Sequence, residues 1–367
     1  MLSAITATIM LALAAAPQNE LELTSGKVLK VKRIKSETYK EVVYQTMGGG
    51  DSKKDAGDVI EIRHDLTPKP LDDFAAAMAK MDEGSFAEAV PLFRAVLNDE
   101  GLLGRSSYAW VKQHSLFNQA KCMFALADMK GVAATVDKLL ADTPDTFFYA
   151  PALMLKAQAL VLAENPSQAK KVFETLATDV SAKGLPERWA RESELGLVLL
   201  DSSLKGKAKE RALAGLAEKN GTKFPTVASR ANVEVGNVMV EGKEYDKAQR
   251  FFEKIVRSGQ ADSSTLAAAY SGLGDCHYYR ALSMESDRGA SKEEFKFAAV
   301  NHLRVITMYK DAVGLVPRCL YFSAQSMVQM GAEDSSTNAR QLASRLKRYY
   351  PQSPWWDRLA TEWNLSK

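Results

Sequence analysis

The side chains that could do chemistry are few and far apart. His64, His114, His277 and His302 are the only histidines, and none stands in HExxH spacing. A metal site needs three or four His, Cys or carboxylate ligands, which sequence motifs announce by short regular spacings. These four are scattered over three regions, so no metal site is expected. Asp275-Cys276-His277 sets an acid, a thiol and an imidazole side by side, the parts of a nucleophilic constellation. Adjacent residues on a helix point in different directions, however, so the three do not converge. Cys122, Cys276 and Cys319 lie in helical stretches among apolar neighbours and read as small buried thiols. Gly48-Gly49-Gly50 leads to no helix and is followed by no Lys-Ser/Thr pair, so it is not a phosphate cradle. No GxSxG elbow occurs. The expectation is a protein without catalytic residues, metal or cofactor.

Composition narrows the class further. The 367 residues allow two or three domains, and 46% hydrophobic with 25% charged residues is ordinary for a globular protein. Lys plus Arg is 48 against 45 for Asp plus Glu, which gives no broad footprint for nucleic acid. Three cysteines exclude a disulfide scaffold, and no segment after the N-terminus is long and apolar enough to cross a membrane.

Two unlike regions follow the N-terminus. Residues 21–64 are rich in Val, Ile, Thr and Tyr with short alternations, which predicts three or four short strands. Residues 48–57 read as a polar hairpin tip. Lys27, Lys30, Lys32, Arg33 and Lys35 read as a solvated or protected strand edge. The segment resembles the small β modules that precede helical repeats in some exported bacterial proteins. A module this small should lean on a neighbour. Thr67-Pro68-Lys69-Pro70 then makes a stiff linker over 65–70.

Residues 71–352 read as helix after helix. Small residues recur at an offset of twelve: Ala77 and Ala89, Ala120 and Val132, Ala157 and Ala169, Gly196 and Ala208, Gly236 and Ala248. Longer offsets join Gly274 to Ala299 and Ala324 to Ala339. A bulky residue follows one turn later, as Phe93, Phe173 and Phe252 do. Antiparallel helices pack closely where small residues face each other, and the bulky one fills the groove beside them. With Leu195-Gly196 and Leu273-Gly274 as first-helix pairs, the region resembles the tetratricopeptide repeat. The fold class expected is therefore mostly α, an α-solenoid of about seven helix hairpins behind a small β-rich module. Ser353-Pro354 starts a capping helix over 353–367, with Trp355, Trp356, Leu359 and Trp363 on its apolar face. The tract Arg340, Arg345, Lys347, Arg348, Tyr349, Tyr350 reads as a solvated helix face with a packed Tyr pair.

The resemblance implies a non-enzymatic scaffold that binds another protein or peptide in the groove lined by its first helices. It places Arg230, Asn237, Glu241, Ser271, Asp275, Tyr278 and Tyr279 there. Only one of the two adjacent Tyr can face the groove, and the other must pack inward. Asn237 matches a position of the family's carboxylate clamp, but Asp275 would repel a carboxylate, so no such clamp is expected. The alternative is an envelope polymer (glycan or lipid) binder or enzyme accessory acting through the β module or residues 284–297, the latter reading as a tolerated surface loop.

Residues 2–16 form a charge-free apolar run ending near Ala12-Leu13-Ala14, the pattern of a secretory signal peptide over 1–16. The expected location is the periplasm or cell envelope. The mature protein is expected to begin near Ala15 outside the cytoplasm. N-terminal sequencing that returns Met1 on cytoplasmic protein overturns this.

Overall fold

The computed structural model describes residues 19–365 except 260, 285, 310, 311 and 332. The expected signal peptide lies outside the described residues. Five strands come first: β1 (Asn19–Leu23), β2 (Val28–Glu37), β3 (Glu41–Thr46), β4 (Asp51–Asp55) and β5 (Val59–Arg63). They form one antiparallel sheet in the order β4-β3-β2-β1-β5. Much of the expected hairpin tip is thus strand. β4 is polar at every position because it is an edge, held by Lys53–Glu41 at 2.9 Å and Lys35–Asp51 at 2.6 Å. The lysine row does not guard an edge, since β2 is the central strand and its cations are exposed on one face of the sheet.

Leu21, Val31, Ile34, Val42, Tyr44, Val59 and Ile62 pack together on the covered face. The β2–β3 register shifts twice, between Val31 and Arg33 and between Ile34 and Ser36. Each shift adds a residue, so Val31, Ile34 and Glu37 turn inward at every third position rather than every second. A carboxylate is thereby delivered to the interior.

Seven helix hairpins follow: α1 (Asp72–Asp82) with α2 (Phe86–Asn98); after the short α3 (Glu100–Leu103), α4 (Ala109–Ala125) with α5 (Met129–Asp142); α6 (Tyr149–Leu162) with α7 (Pro166–Lys183); α8 (Arg188–Leu200) with α9 (Gly206–Asn220); α10 (Pro225–Glu241) with α11 (Tyr245–Arg257); α12 (Ser263–Ser283) with α13 (Arg288–Met308); and α14 (Val316–Met330) with α15 (Glu333–Tyr349). Each second helix packs on its own partner and on the first helix of the next hairpin. First helices touch each other at α1–α4, α4–α6, α8–α10, α10–α12 and α12–α14. This is the stacking of a tetratricopeptide-like solenoid, with first helices along one face.

The hairpin turns share a device. Seven residues past the small residue of the first helix, the backbone is left-handed at Gly84 (φ 76), Ala127 (φ 62), Glu164 (φ 54), Lys243 (φ 59) and Gly331 (φ 70). Where this turn closes, the small-residue seam holds: Ala77, Ala89, Ala120, Val132, Ala157, Ala169, Ala248, Ala324 and Ala339 are fully buried. The two other hairpins depart from the expected spacing. Ala208 is exposed, because α9 starts at Gly206 and buries Leu213, Leu216, Ala217 and Asn220 instead. In the sixth hairpin the fully closed position is Ala298 rather than Ala299, and His302 takes the bulky position one turn later. Residues from Arg288 onward are helix, not loop. Asp287 caps α13 by accepting from the backbone N–H groups of Gly289 and Ala290 at 3.1 and 3.0 Å.

The group nearest Gly236 and Gly272 is the phenyl ring of Phe252. A methyl group added at Gly236 would lie 2.5 Å from the Phe252 ring, and one at Gly272 would lie 2.3 Å from it. Phe252 is thus clamped between its own hairpin and the next.

Lys69–Leu71 forms a 3-10 turn that leads from the proline linker into α1. The sheet is docked rather than tethered: Tyr39 donates its backbone N–H to Asp145 at 3.0 Å, and Phe147 packs on the sheet core. At the far end, α16 (Pro354–Glu362) is capped by Ser353 and covers the last hairpin with buried Trp356 and Leu359. Of the tyrosine pair, Tyr350 is buried and Tyr349 is exposed.

The glycine clamp makes a prediction with opposite signs. Ala at Gly236 or Gly272 gains helix propensity but forces the ring to move, and is expected to cost about 1–3 kcal/mol. The same change at Gly215 of α9 meets nothing within 4 Å, and is expected to stabilise by about 0.5–1 kcal/mol. Denaturant melts that give both sites the same sign would show the packing to be wrong.

Candidate functional site

The first-helix face opens into a cavity of about 460 Å³ between α10, α12 and the start of α14. Val233, Glu234, Asn237, Val240 and Glu241 line it from α10, Ser271, Asp275 and Tyr279 from α12, and Leu315 and Arg318 from the third side. Five of the residues expected in the groove, Asn237, Glu241, Ser271, Asp275 and Tyr279, therefore share one cavity. Arg230 does not, because it pairs with Glu192 on α8 and ties two first helices together. Tyr278 packs inward against Phe322 and Phe295, with ring centroids 4.9 and 5.6 Å away.

Helix α12 explains why the cavity is polar. Residues 271–278 of it are all buried, so its polar side chains need partners inside the protein. Arg318 supplies two: its guanidinium donates to the Ser271 hydroxyl at 2.8 Å and to Asp275 Oδ2 at 2.6 Å. The other oxygen, Asp275 Oδ1, has no hydrogen-bond partner among the described residues. His302 Nε2 stands 3.6 Å from it. Burial, with the nearby Arg318 charge, depresses the His302 pKa well below the usual histidine range, so the ring is neutral. Arg318, engaged by Asp275, is not free to grip a partner's carboxylate.

Glu234 is the second charge of interest. Its carboxylate accepts one hydrogen bond, from Asn237 Nδ2 at 3.1 Å. Burial pushes its pKa up, against the opposing pull of Asn237 and Arg230. Three carboxylates, Glu234, Glu241 and Asp275, face one guanidinium across the cavity.

The apparent triad separates. His277 Nδ1 bonds Glu294 at 2.8 Å on α13, Asp275 turns to Arg318, and Cys276 packs in the core. All three cysteines are free and buried, and burial pushes each thiol up to about 12. None is a thiolate nucleophile at neutral pH.

Sequence spacing missed Glu234, His302 and Arg318. A signal for His302 existed, since it stands four residues after Ala298 where Phe252 follows Ala248. Spacing also missed a convergence at the sheet–helix junction. Glu37 from β2, His64 just after β5 and His114 from α4 place ligand-type atoms within 4.8 Å of one another. This is the set of side chains among the described residues that could hold a metal ion.

No family model matches the sequence, and no curated protein aligns with it. Among solved structures the chain is similar to yeast Tom70, at 12% identity over 80% of this chain and 88% of that one, with a TM-score of 0.25. Agreement at that score carries no argument about site or partner. The repeat architecture rests on the hairpin packing itself. No described helix is long and apolar enough to cross a membrane.

The Arg318–Asp275 pair has a measurable consequence. Arg318→Met strands a buried carboxylate and is expected to cost about 3–5 kcal/mol, while adding Asp275→Leu should recover most of it. Additive losses in the double variant, read from melts, would show that the two groups do not depend on each other.

Proposed function

We propose that this chain is a non-enzymatic protein–protein interaction scaffold, exported to the cell envelope, that holds a segment of a partner protein along its first-helix face. The cavity between α10, α12 and α14 receives a Lys or Arg side chain of that segment. The observation that carries this reading is Glu234: a half-buried carboxylate in the cavity wall that, among the described residues, has one neutral hydrogen-bond donor and no ion-paired cation. A buried charge is costly until it is paired, so an incoming ammonium or guanidinium gains more here than at a surface carboxylate. Glu241 at the mouth adds attraction. Tyr279, half-buried beside them, offers a wide face to the stem of such a side chain.

The test uses the full chain and photo-crosslinkers at Asn237 and Tyr279 to capture the partner segment. Glu234→Gln is expected to weaken binding at least about tenfold, or about 1.4 kcal/mol. Tyr279→Ala should cost at least about 1 kcal/mol of binding with little change in melting temperature. The pH dependence follows from the raised Glu234 pKa. As pH falls, Glu234 takes up a proton while exposed carboxylates are still ionised, so affinity drops first through that value. Glu234→Gln should shrink that step, any remainder belonging to Asp275, whose pKa burial also raises against the pull of Arg318. Binding unchanged in both variants but lost on deletion of residues 21–64 would move the function to the sheet, and enrichment of glycan or lipid instead of protein would favour a polymer binder.

A further inference from the structure

We propose that Glu37, His64 and His114 form a binding site for one divalent transition ion of the zinc class, which fastens the N-terminal sheet to the helical repeats.

The ligand set is two imidazoles and a carboxylate, the donor chemistry of three-protein-ligand zinc sites. Glu37 Oε1 lies 3.0 Å from His114 Nε2, and Glu37 Oε2 lies 3.4 Å from His64 Nε2. Ligand atoms bound tetrahedrally at about 2.0–2.2 Å from zinc stand about 3.3–3.5 Å apart. The two Glu–His spacings are near this value already. The whole set, within 4.8 Å, closes on an ion by a movement of about an ångström.

The surroundings are those of a built site. All three side chains are nearly buried, at 3% exposure for Glu37, 5% for His64 and 8% for His114. One turn of α4 supplies three of the parts. Trp110 stacks on the His64 ring at 3.6 Å and 2°, fixing its plane. Gln113 accepts hydrogen bonds on Oε1 from Thr146 Oγ1 at 2.6 Å and Phe147 N at 3.0 Å, which forces its NH₂ toward Glu37 Oε1 at 3.0 Å. That donor orients the carboxylate without using all of its lone pairs, as an outer-shell partner does in metal sites. The third part, His114, follows on the same turn.

The double bulge of β2 gives the cluster its origin. It turns Glu37 inward, where His114 waits. Two ligands come from the sheet region and one from α4, so an ion bound here bridges the two, and the ligands assemble around it as the sheet docks. Metal binding then adds directly to the stability of the docked state.

The experiment takes the full chain, stripped with a chelator and dialysed, and titrates it with Zn²⁺ alone. One equivalent per chain is expected, with a rise in melting temperature. His64→Gln and Glu37→Gln should each weaken Zn²⁺ binding at least about tenfold, while His277→Gln, far away on α12, should leave it unchanged. Co²⁺ loaded into the unsubstituted protein should show the visible bands of a nitrogen–oxygen site, and this readout decides the matter if a variant does not fold. No bound Zn²⁺ and no thermal shift in the unsubstituted chain overturns the proposal and leaves the cluster an ion-pair network. So does full affinity in folded His64→Gln, which would put the ion elsewhere.

Discussion

A phenyl ring held between two glycines organises this chain. Phe252 is the point where a hairpin both closes on itself and joins its neighbour, because Gly236 and Gly272 come from successive first helices. Without side chains at these two positions, the ring packs directly on the backbone of both first helices, so their approach there is limited by its thickness. Phe173 against Gly196 repeats the contact to the next hairpin two joints earlier, with a methyl at Gly196 falling 2.4 Å from the ring. The stack is therefore set by nearest-neighbour joints. The first-helix face, and the cavity in it, inherit their geometry from these joints rather than from any long-range contact.

The hairpins were legible because each combines two local signals, a small residue and a bulky one a turn later, at a fixed offset. That offset depends on the length of the turn, and it failed where the turn differs. Ala208 has the right spacing on paper, yet α9 begins so late that it lies in the exposed first turn. The sheet was read less well for a related reason. β4 is strand by backbone pairing to Glu41–Gln45 and not by hydrophobic alternation, and the bulges of β2 replace period two with period three. Pattern reading assumes that every strand has one wet and one dry face in strict alternation, and neither strand does.

The site divides in the same way. Asn237, Ser271, Asp275 and Tyr279 could be placed from helix periodicity alone, since they sit on first helices close to the seam glycines. Arg318 could not, because its role depends on which neighbour α14 packs against, and that is a property of the stack. Glu37, His64 and His114 are separated by tens of residues and by a change from strand to helix. Only the docking of the sheet brings them together.

The two polar clusters also differ in how completely they satisfy their buried groups. At the sheet junction Glu37 accepts from Gln113 and meets two imidazoles, and the opposing effects of burial and these partners leave its pKa at about 2. In the sixth hairpin the accounts do not close. His302 stands where a phenylalanine would serve the seam better, and among the described residues neither of its ring nitrogens nor Asp275 Oδ1 has a hydrogen-bond partner. Burying such groups costs free energy that an apolar core would not. The same hairpin extends both its helices to 21 residues and borders the cavity that holds Glu234. A repeat array has every reason of stability to keep its unit uniform, so the hairpin that departs in length and core chemistry at once is the one where stability has been given up for something else. Asp275, with one oxygen on Arg318 and the other turned to a neutral imidazole, fixes Arg318 in the cavity wall and keeps the net charge of that wall negative. The departure from the repeat is thus what makes this cavity unlike the rest of the first-helix face.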